Sequence, residues 1–263
     1  MEGFTFYTGD EQFDLWLAIG FAFAFCAVIG CLFVSSPYGK FADSSMGVEL
    51  DPRLGWWLME LPATVSFWYF YPKGEHAWEV PRLFFALYWT KHYLNRGWYF
   101  PLSIRVAPGR KSSFGLLVMA CGMFMTSFHG FLNARWFSQF ADHLTVDWFK
   151  NPIFIGGFLL YELSFWFTVQ SESIVRNLRG STVKKGEPRY KIPYGGGFKY
   201  VSSPAYLGEL LGWLGWTIMT LNPGGLVVFL ISAANLVPRA FQTHRWYREK
   251  FEDYPTDRKA LIP

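Results

Sequence analysis

Four carboxylates interrupt stretches that are otherwise apolar: Glu60, Glu162, Glu172 and Glu209. A charge at the centre of a bilayer costs about 2.5–3.5 kcal/mol on insertion scales, so each needs a partner or a polar cavity, and such groups are functional candidates by default. Glu60 sits in Trp56-Trp57-Leu58-Met59-Glu60-Leu61-Pro62. Either it bonds a neighbouring helix and holds a bundle together, or it takes part in chemistry. Glu209, in Ala205-Tyr206-Leu207-Gly208-Glu209, follows a glycine that lets a helix or a ligand come close. Glu162 has no comparable context and reads as a bundle contact, and His129 reads as a satisfied buried histidine. Tyr88, in Leu83-Phe84-Phe85-Ala86-Leu87-Tyr88-Trp89, is by itself a packing aromatic. Held against a protonated glutamate in a dry pocket, its hydroxyl donates to a carbonyl oxygen and stabilises a developing enolate.

Two further patterns have helical spacing. Glu172, Arg176 and Arg179 fall at i, i+4 and i+7, and Arg239, Thr243 and Tyr247 at i, i+4 and i+8. A purely basic stripe is explained by anionic lipid, worth about 1 kcal/mol per residue near the surface. Here the arginines alternate with Glu, Tyr, His and Trp, the mixture a nucleotide needs for charge, stacking and ribose hydrogen bonds together.

The elements that must position these residues are membrane helices. Of 263 residues, 51% are apolar, 21% aromatic and only 17% charged, against about 25% charged in soluble domains. Disorder, collagen and a nucleic-acid-binding arm are excluded. Residues 15–34 form a charge-free run of the length that crosses a hydrocarbon core of about 30 Å. Six more spans are expected at 54–70, 83–94, 114–134, 152–170, 206–221 and 225–237, giving an all-α, seven-helix polytopic protein folded as one domain over 1–263. The stretch before the first span carries Glu2, Asp10 and Glu11, the wrong charge for a signal peptide, and is expected to be retained. Counted over alternate connections, all lysines and arginines except Lys73, Arg82, Arg135 and Lys150 fall on one side. The positive-inside rule then places the C-terminus in the cytosol and the N-terminus outside. Cys26, Cys31 and Cys121 lie in apolar runs and are expected as small core residues without disulfides.

Gly195-Gly196-Gly197 fits neither the dinucleotide fingerprint nor the P-loop, which excludes a Rossmann domain, and the five histidines have no metal-ligand spacing. Read together, the motifs resemble the steroid 5α-reductase family. The resemblance is carried by Arg239-Ala240-Phe241, His244-Arg245-Trp246-Tyr247, Lys250-Phe251-Glu252-Asp253-Tyr254-Pro255 and Arg258-Lys259-Ala260-Leu261-Ile262-Pro263. Tyr190-Lys191-Ile192-Pro193, Gly195-Gly196 with Phe198, Tyr200-Val201-Ser202 and Leu207-Gly208-Glu209 extend it, as do Asn95-Arg96-Gly97 and Glu60-Leu61-Pro62.

That resemblance implies a membrane enzyme that uses NADPH to reduce the Δ4 double bond of 3-oxo-Δ4-steroids, with hydride going to the enone β-carbon. It implies a catalytic pair at Glu60 and Tyr88, and cofactor binding by Asn95, Glu172, Arg179, Tyr190, Arg239, His244 and Tyr247, mainly within 91–113 and 168–263. It places Trp56, Met59 and Glu209 at the substrate pocket. The implied partners are an apolar steroid or steroid-like enone and the bilayer, in an inner membrane or endoplasmic reticulum according to source, with no nucleic acid, metal or obligate protein partner. The chain departs from the family at Glu172, Thr168, Ala205, Thr243 and Met59, where family members have Asp, Asn, Asn, His and Gln. These departures bear on substrate identity more than on reaction type. The alternatives are reduction of another lipid, of polyprenol or enoyl-thioester type, a membrane methyltransferase of related fold, and a lipid-binding or transport protein using the same buried carboxylates.

Overall fold

A computed structural model describes residues 6–33, 39–41, 48–106, 114–180 and 190–263. The last residue of the first expected span, and residues 107–113 and 181–189 of the expected cofactor region, lie outside the described residues. Each of the seven expected spans is a helix: α1 (Glu11–Phe33), α2 (Pro52–Phe70), α3 (Val80–Tyr93), α5 (Leu116–Arg135), α6 (Pro152–Asn177), α7 (Pro204–Thr220) and α8 (Pro223–Lys250), with a short α4 (Phe100–Ser103) between the third and fourth. A two-residue antiparallel ribbon, β1 (Glu49–Leu50) against β2 (Phe114–Gly115), pairs Glu49 with Gly115. The protein is mostly helical, and four helices, α1, α5, α6 and α8, are long and apolar enough to cross a membrane.

Local chemistry explains the helix starts. Asp51, Asn151 and Asn222 each accept a hydrogen bond from the backbone N–H two residues on, at 2.8 Å, ahead of a proline at the first helical position. The apolar span expected at 225–237 and the helical spacing read just past it at Arg239, Thr243 and Tyr247 belong to one helix, since α8 runs through Pro238 to Lys250. A proline inside a helix removes one hydrogen bond without ending it when packing holds both halves. Thirteen residues beyond 237, including Arg239, Thr243, His244 and Tyr247, thereby belong to one continuous rod.

The core is aromatic. Phe67 stacks on Trp89 at 5.1 Å and on Tyr71 at 5.3 Å, and Phe85 stacks on Phe137 at 5.5 Å. At its centre the Asn133 side-chain oxygen accepts from Trp216 Nε1 (3.1 Å) and Asn222 Nδ2 (2.7 Å), tying α5, α7 and the start of α8. Large apolar side chains such as Val65, Leu87, Phe124, Leu163 and Trp166 face outward, as lipid-facing helices require. Cys26 and Cys121 are on this outer face and not in the core, a correction that follows from their helical phase.

Helices α6 and α7 touch backbone to backbone through Gly157 and Gly215. A Cβ on Gly215 would lie 2.6 Å from Tyr161 N and 2.8 Å from the Gly157 carbonyl oxygen, whereas one on Gly156 would meet nothing within 4 Å. Gly→Ala gains up to about 1 kcal/mol of helix propensity, but overpacking costs about 1–3 kcal/mol or more. Gly215→Ala is therefore expected to lower the detergent melting temperature and Gly156→Ala to leave it level or raise it, as read by thermal unfolding.

Candidate active site

The site is built where α2, the α3–α4 junction, α6 and α7 meet. Helix α3 does not run straight into α4. Residues Leu94–Tyr99 form a π-helical turn, a device found often at functional sites because it re-aims side chains. Gly97 in that turn lets it approach α2, since a Cβ there would sit 3.4 Å from Glu60 Cβ. The turn delivers Arg96, and each nitrogen of its guanidinium faces a carboxylate from a different helix. Nε donates to Glu60 Oε1 of α2 (3.1 Å), Nη1 lies 3.8 Å from Glu172 Oε1 of α6, and Nη2 lies 3.6 Å from Glu209 Oε1 of α7. Its carbon stands 4.8 Å from the Trp56 ring centroid and 5.5 Å from that of Phe100. Three of the four carboxylates that interrupt apolar stretches thus form one cage around a single cation, and Trp56 forms its floor.

Glu162, the fourth, pairs with Lys91 and accepts from Trp166 Nε1 at 3.2 Å, the bundle contact expected of it. Tyr88 belongs to this second group. Its ring packs on Phe84 (4.5 Å) and Phe158 (5.5 Å), Lys91 lies 4.9 Å above it, and its hydroxyl hydrogen-bonds Glu162. The expected Glu60–Tyr88 contact is therefore not formed. Five residues further on, about 140° round the helix at 3.6 residues per turn, Tyr93 is buried on the opposite face. Its hydroxyl shares a 2.9 Å hydrogen bond with His129 Nε2 and feels the charges of Glu60, Arg96 and Glu209. Tyr93 was missed in the sequence. The available signal was its spacing to Arg96 and Gly97, at i+3 and i+4, which puts it on the stripe that meets Glu60.

Met59 faces away from the cage, against Gly122 of α5, and its carbonyl accepts from Thr126 Oγ1 at 2.7 Å. Asn95 is half-buried in the π-helical turn. The first stripe meets the expected neighbourhood: Glu172 reaches Arg96, Arg176 donates to Ser103 Oγ (3.1 Å), and Arg179 Nη1 donates to the Arg105 carbonyl (2.7 Å) while Arg105 donates back to the Arg179 carbonyl. The end of α6 is latched to the chain after α4.

The second stripe lies on α8. Arg239 is buried and donates from Nε to the Tyr206 hydroxyl at 3.0 Å. Tyr247 stacks on Tyr254 at 5.2 Å, and Tyr190 meets Trp246 edge-on at 4.8 Å. His244 Nδ1 shares a 2.6 Å hydrogen bond with Ser202 Oγ, which also bonds the Tyr254 hydroxyl at 2.7 Å and so pins the tail to the segment before α7. Two buried polar atoms here, Thr243 Oγ1 and Arg258 Nη1, have no hydrogen-bond partner among the described residues. Helix α7 joins the two groups: Tyr206 and Glu209, three residues apart on one face, reach Arg239 and Arg96 respectively.

Comparison with known proteins bears directly on this arrangement. The family model described as 3-oxo-5-alpha-steroid 4-dehydrogenase matches residues 110–263, more than half of the chain. The chain belongs to that family. Its relatives include 3-oxo-5-alpha-steroid 4-dehydrogenase 1 of Rattus norvegicus, 37% identical over 242 residues, covering 91% of this chain and 90% of the relative. Steroid 5-alpha-reductase DET2 of Gossypium hirsutum is 35% identical over 239 residues (89% and 90%), and that of Solanum lycopersicum 33% over 260 residues (98% of each). As a member of the 3-oxo-5-alpha-steroid 4-dehydrogenase family the chain is an enzyme, an oxidoreductase acting on CH–CH bonds, and the resemblance read from its C-terminal motifs holds over nearly the whole length.

Proposed function

We propose that this enzyme uses NADPH to reduce the Δ4 double bond of a 3-oxo-Δ4-steroid, or of a similarly flat apolar enone, by hydride transfer to the enone β-carbon. The observation that carries the reading is a buried tyrosine hydroxyl, Tyr93, held by His129 beside the Glu60 carboxylate, in a chain whose family is named for that bond. Tyr93 donates its hydrogen bond to the substrate ketone, and Glu60, held by Arg96, keeps the tyrosine proton available as negative charge develops on the oxygen. Burial of the hydrocarbon skeleton against aromatic side chains contributes about 25 cal/mol per Å² and leaves the ketone as the oriented group. The substrate enters from the bilayer.

A nicotinamide cofactor supplies the hydride when bound. Glu172, Arg179 and Asn95 on one side, and Tyr190, Arg239, His244 and Tyr247 on the other, would hold it. The buried Thr243 hydroxyl and Arg258 guanidinium nitrogen, which have no hydrogen-bond partner among the described residues, suit the oxygens of such a ligand, because an unsatisfied buried donor costs about 1–3 kcal/mol. Seven membrane crossings, with the N-terminus outside and the C-terminus cytosolic, put the end of α8 where NADPH is available. Support for this topology comes from the helical state of all seven segments and the one-sided lysines and arginines.

The direct test is mass spectrometry of the product after incubation with progesterone and deuteride-labelled NADPH. Deuterium at the ring-fusion β-carbon supports the proposal. NADPH binding without steroid turnover moves the substrate to another lipid enone, and absence of both overturns the reductase reading. Arg179→Ala should raise the KM for NADPH about tenfold, the effect of losing a charge-assisted hydrogen bond, with kcat changed far less in steady-state assays.

A further inference from the structure

We infer that Lys40 is an additional phosphate-binding residue, holding a phosphate group of the dinucleotide against α8; this rests on the NADPH reading above. Lys40 lies in the single turn Gly39–Phe41 between α1 and α2, far in sequence from every residue of the cofactor stripes. Its ammonium stands 4.4 Å from the ring centroid of Tyr247, 4.7 Å from that of Trp246 and 5.6 Å from that of Phe41. The guanidinium carbon of Arg239 lies 5.2 Å from the same Phe41 ring. Two cations from different parts of the chain therefore converge on one aromatic patch.

As pure packing this is a poor solution. A methionine would cover the same rings without like-charge repulsion, and ring faces return only about 0.5–2 kcal/mol to a cation. Among the described residues the ammonium of Lys40 meets these rings and the like charge of Arg239, and no carboxylate. The backbone commits to the arrangement as well. Gly39 has φ +63°, where L side chains are strained, and a Cβ there would come within 3.4 Å of Arg239 Nη2. An anion placed between two cations and flanked by flat rings resolves the electrostatics, and a nucleotide carries both the phosphate and the stacking surface. Tyr247 and Arg239 already belong to the stripe read as cofactor-binding.

The same surroundings hold the Lys40 ammonium down to about 7, burial first and the Arg239 charge second. The groups facing it are Arg239, Trp246 and Tyr247 of α8, with Tyr206 of α7 behind Arg239 and Tyr254 behind Tyr247. An arriving phosphate favours the charged amine, so the bound state takes up a proton that the free state lacks above pH 7, and affinity falls as pH rises from there.

The test is calorimetric titration of NADPH into the full chain in uncharged detergent at pH 8, in two buffers of different ionisation enthalpy. The wild type should bind with uptake of a fraction of a proton. Lys40→Met should bind about tenfold more weakly and without that uptake, at unchanged melting temperature, and Lys40→Arg should keep the affinity while losing the uptake. Equal affinity and equal uptake in Lys40→Met overturn the inference while leaving the NADPH reading in place. No binding by the wild type overturns both. If Lys40→Met weakens association only with phosphatidylglycerol nanodiscs, the phosphate is a lipid's and the dinucleotide assignment fails.

Discussion

Tyr93→Phe is expected to lower kcat by about 10²–10³-fold, the loss seen when one preorganised donor to a developing oxyanion is removed, while NADPH binding stays near wild type. Tyr88→Phe is expected to stay within about threefold. The contrast follows from helical phase: the two hydroxyls leave α3 on different faces, one toward His129 and the Glu60 side, the other toward Glu162 and Lys91. Glu60→Gln should fall with Tyr93→Phe, and the double variant should cost little more than either single change, because groups acting as one unit are not additive. Steady-state rates for the three single variants and the double settle it. A Tyr93→Phe enzyme with normal turnover would sink the assignment.

Arg96→Met should produce the largest loss of stability from a single side chain. It leaves Glu60, Glu172 and Glu209 facing one another with their shared cation gone. Removing one partner of a buried ion pair costs about 3–5 kcal/mol, and here three carboxylates lose theirs. Pairing the change with Glu209→Gln should recover part of the loss, since one negative charge leaves with the positive one. The deficit should also narrow in acid, where protonated carboxyls no longer repel. Thermal unfolding in detergent, with and without the second change and at two pH values, reads this directly.

Much of this architecture was legible from residue spacing. Seven apolar segments gave seven helices, and the i, i+4, i+7 rhythm of Glu172, Arg176 and Arg179 correctly implied one face, because periodicity reports local geometry. The cage around Arg96 was not legible. Its members lie on four separate elements, and residue spacing reports geometry within one element, not which elements meet. Tyr93 went unread because what sets it apart from other buried aromatics is its partners, His129 on α5 and Glu60 on α2, which are remote in sequence. The helical spacing of Arg239, Thr243 and Tyr247 was legible as well, and the helix passes through Pro238 because residues on both sides of it, Leu236 and Ala240 among them, are buried.

The packing of α1 on α8 has a bearing on how the protein is made. Gly20 sits so close to Val227 and Phe128 that an added Cβ would lie 3.2–3.3 Å from their side chains. During synthesis α1 is made well before α8, so its fitted surface stays uncovered until α8 follows. Until α8 is made, that glycine-notched face is open to lipid or to any helix that fits it. Assembly is thus gated by the arrival of the C-terminal rod, which also carries Arg239, His244 and Tyr247. A chain cut before α8 loses the surface that Gly20 is fitted to and leaves α1 without its main packing partner.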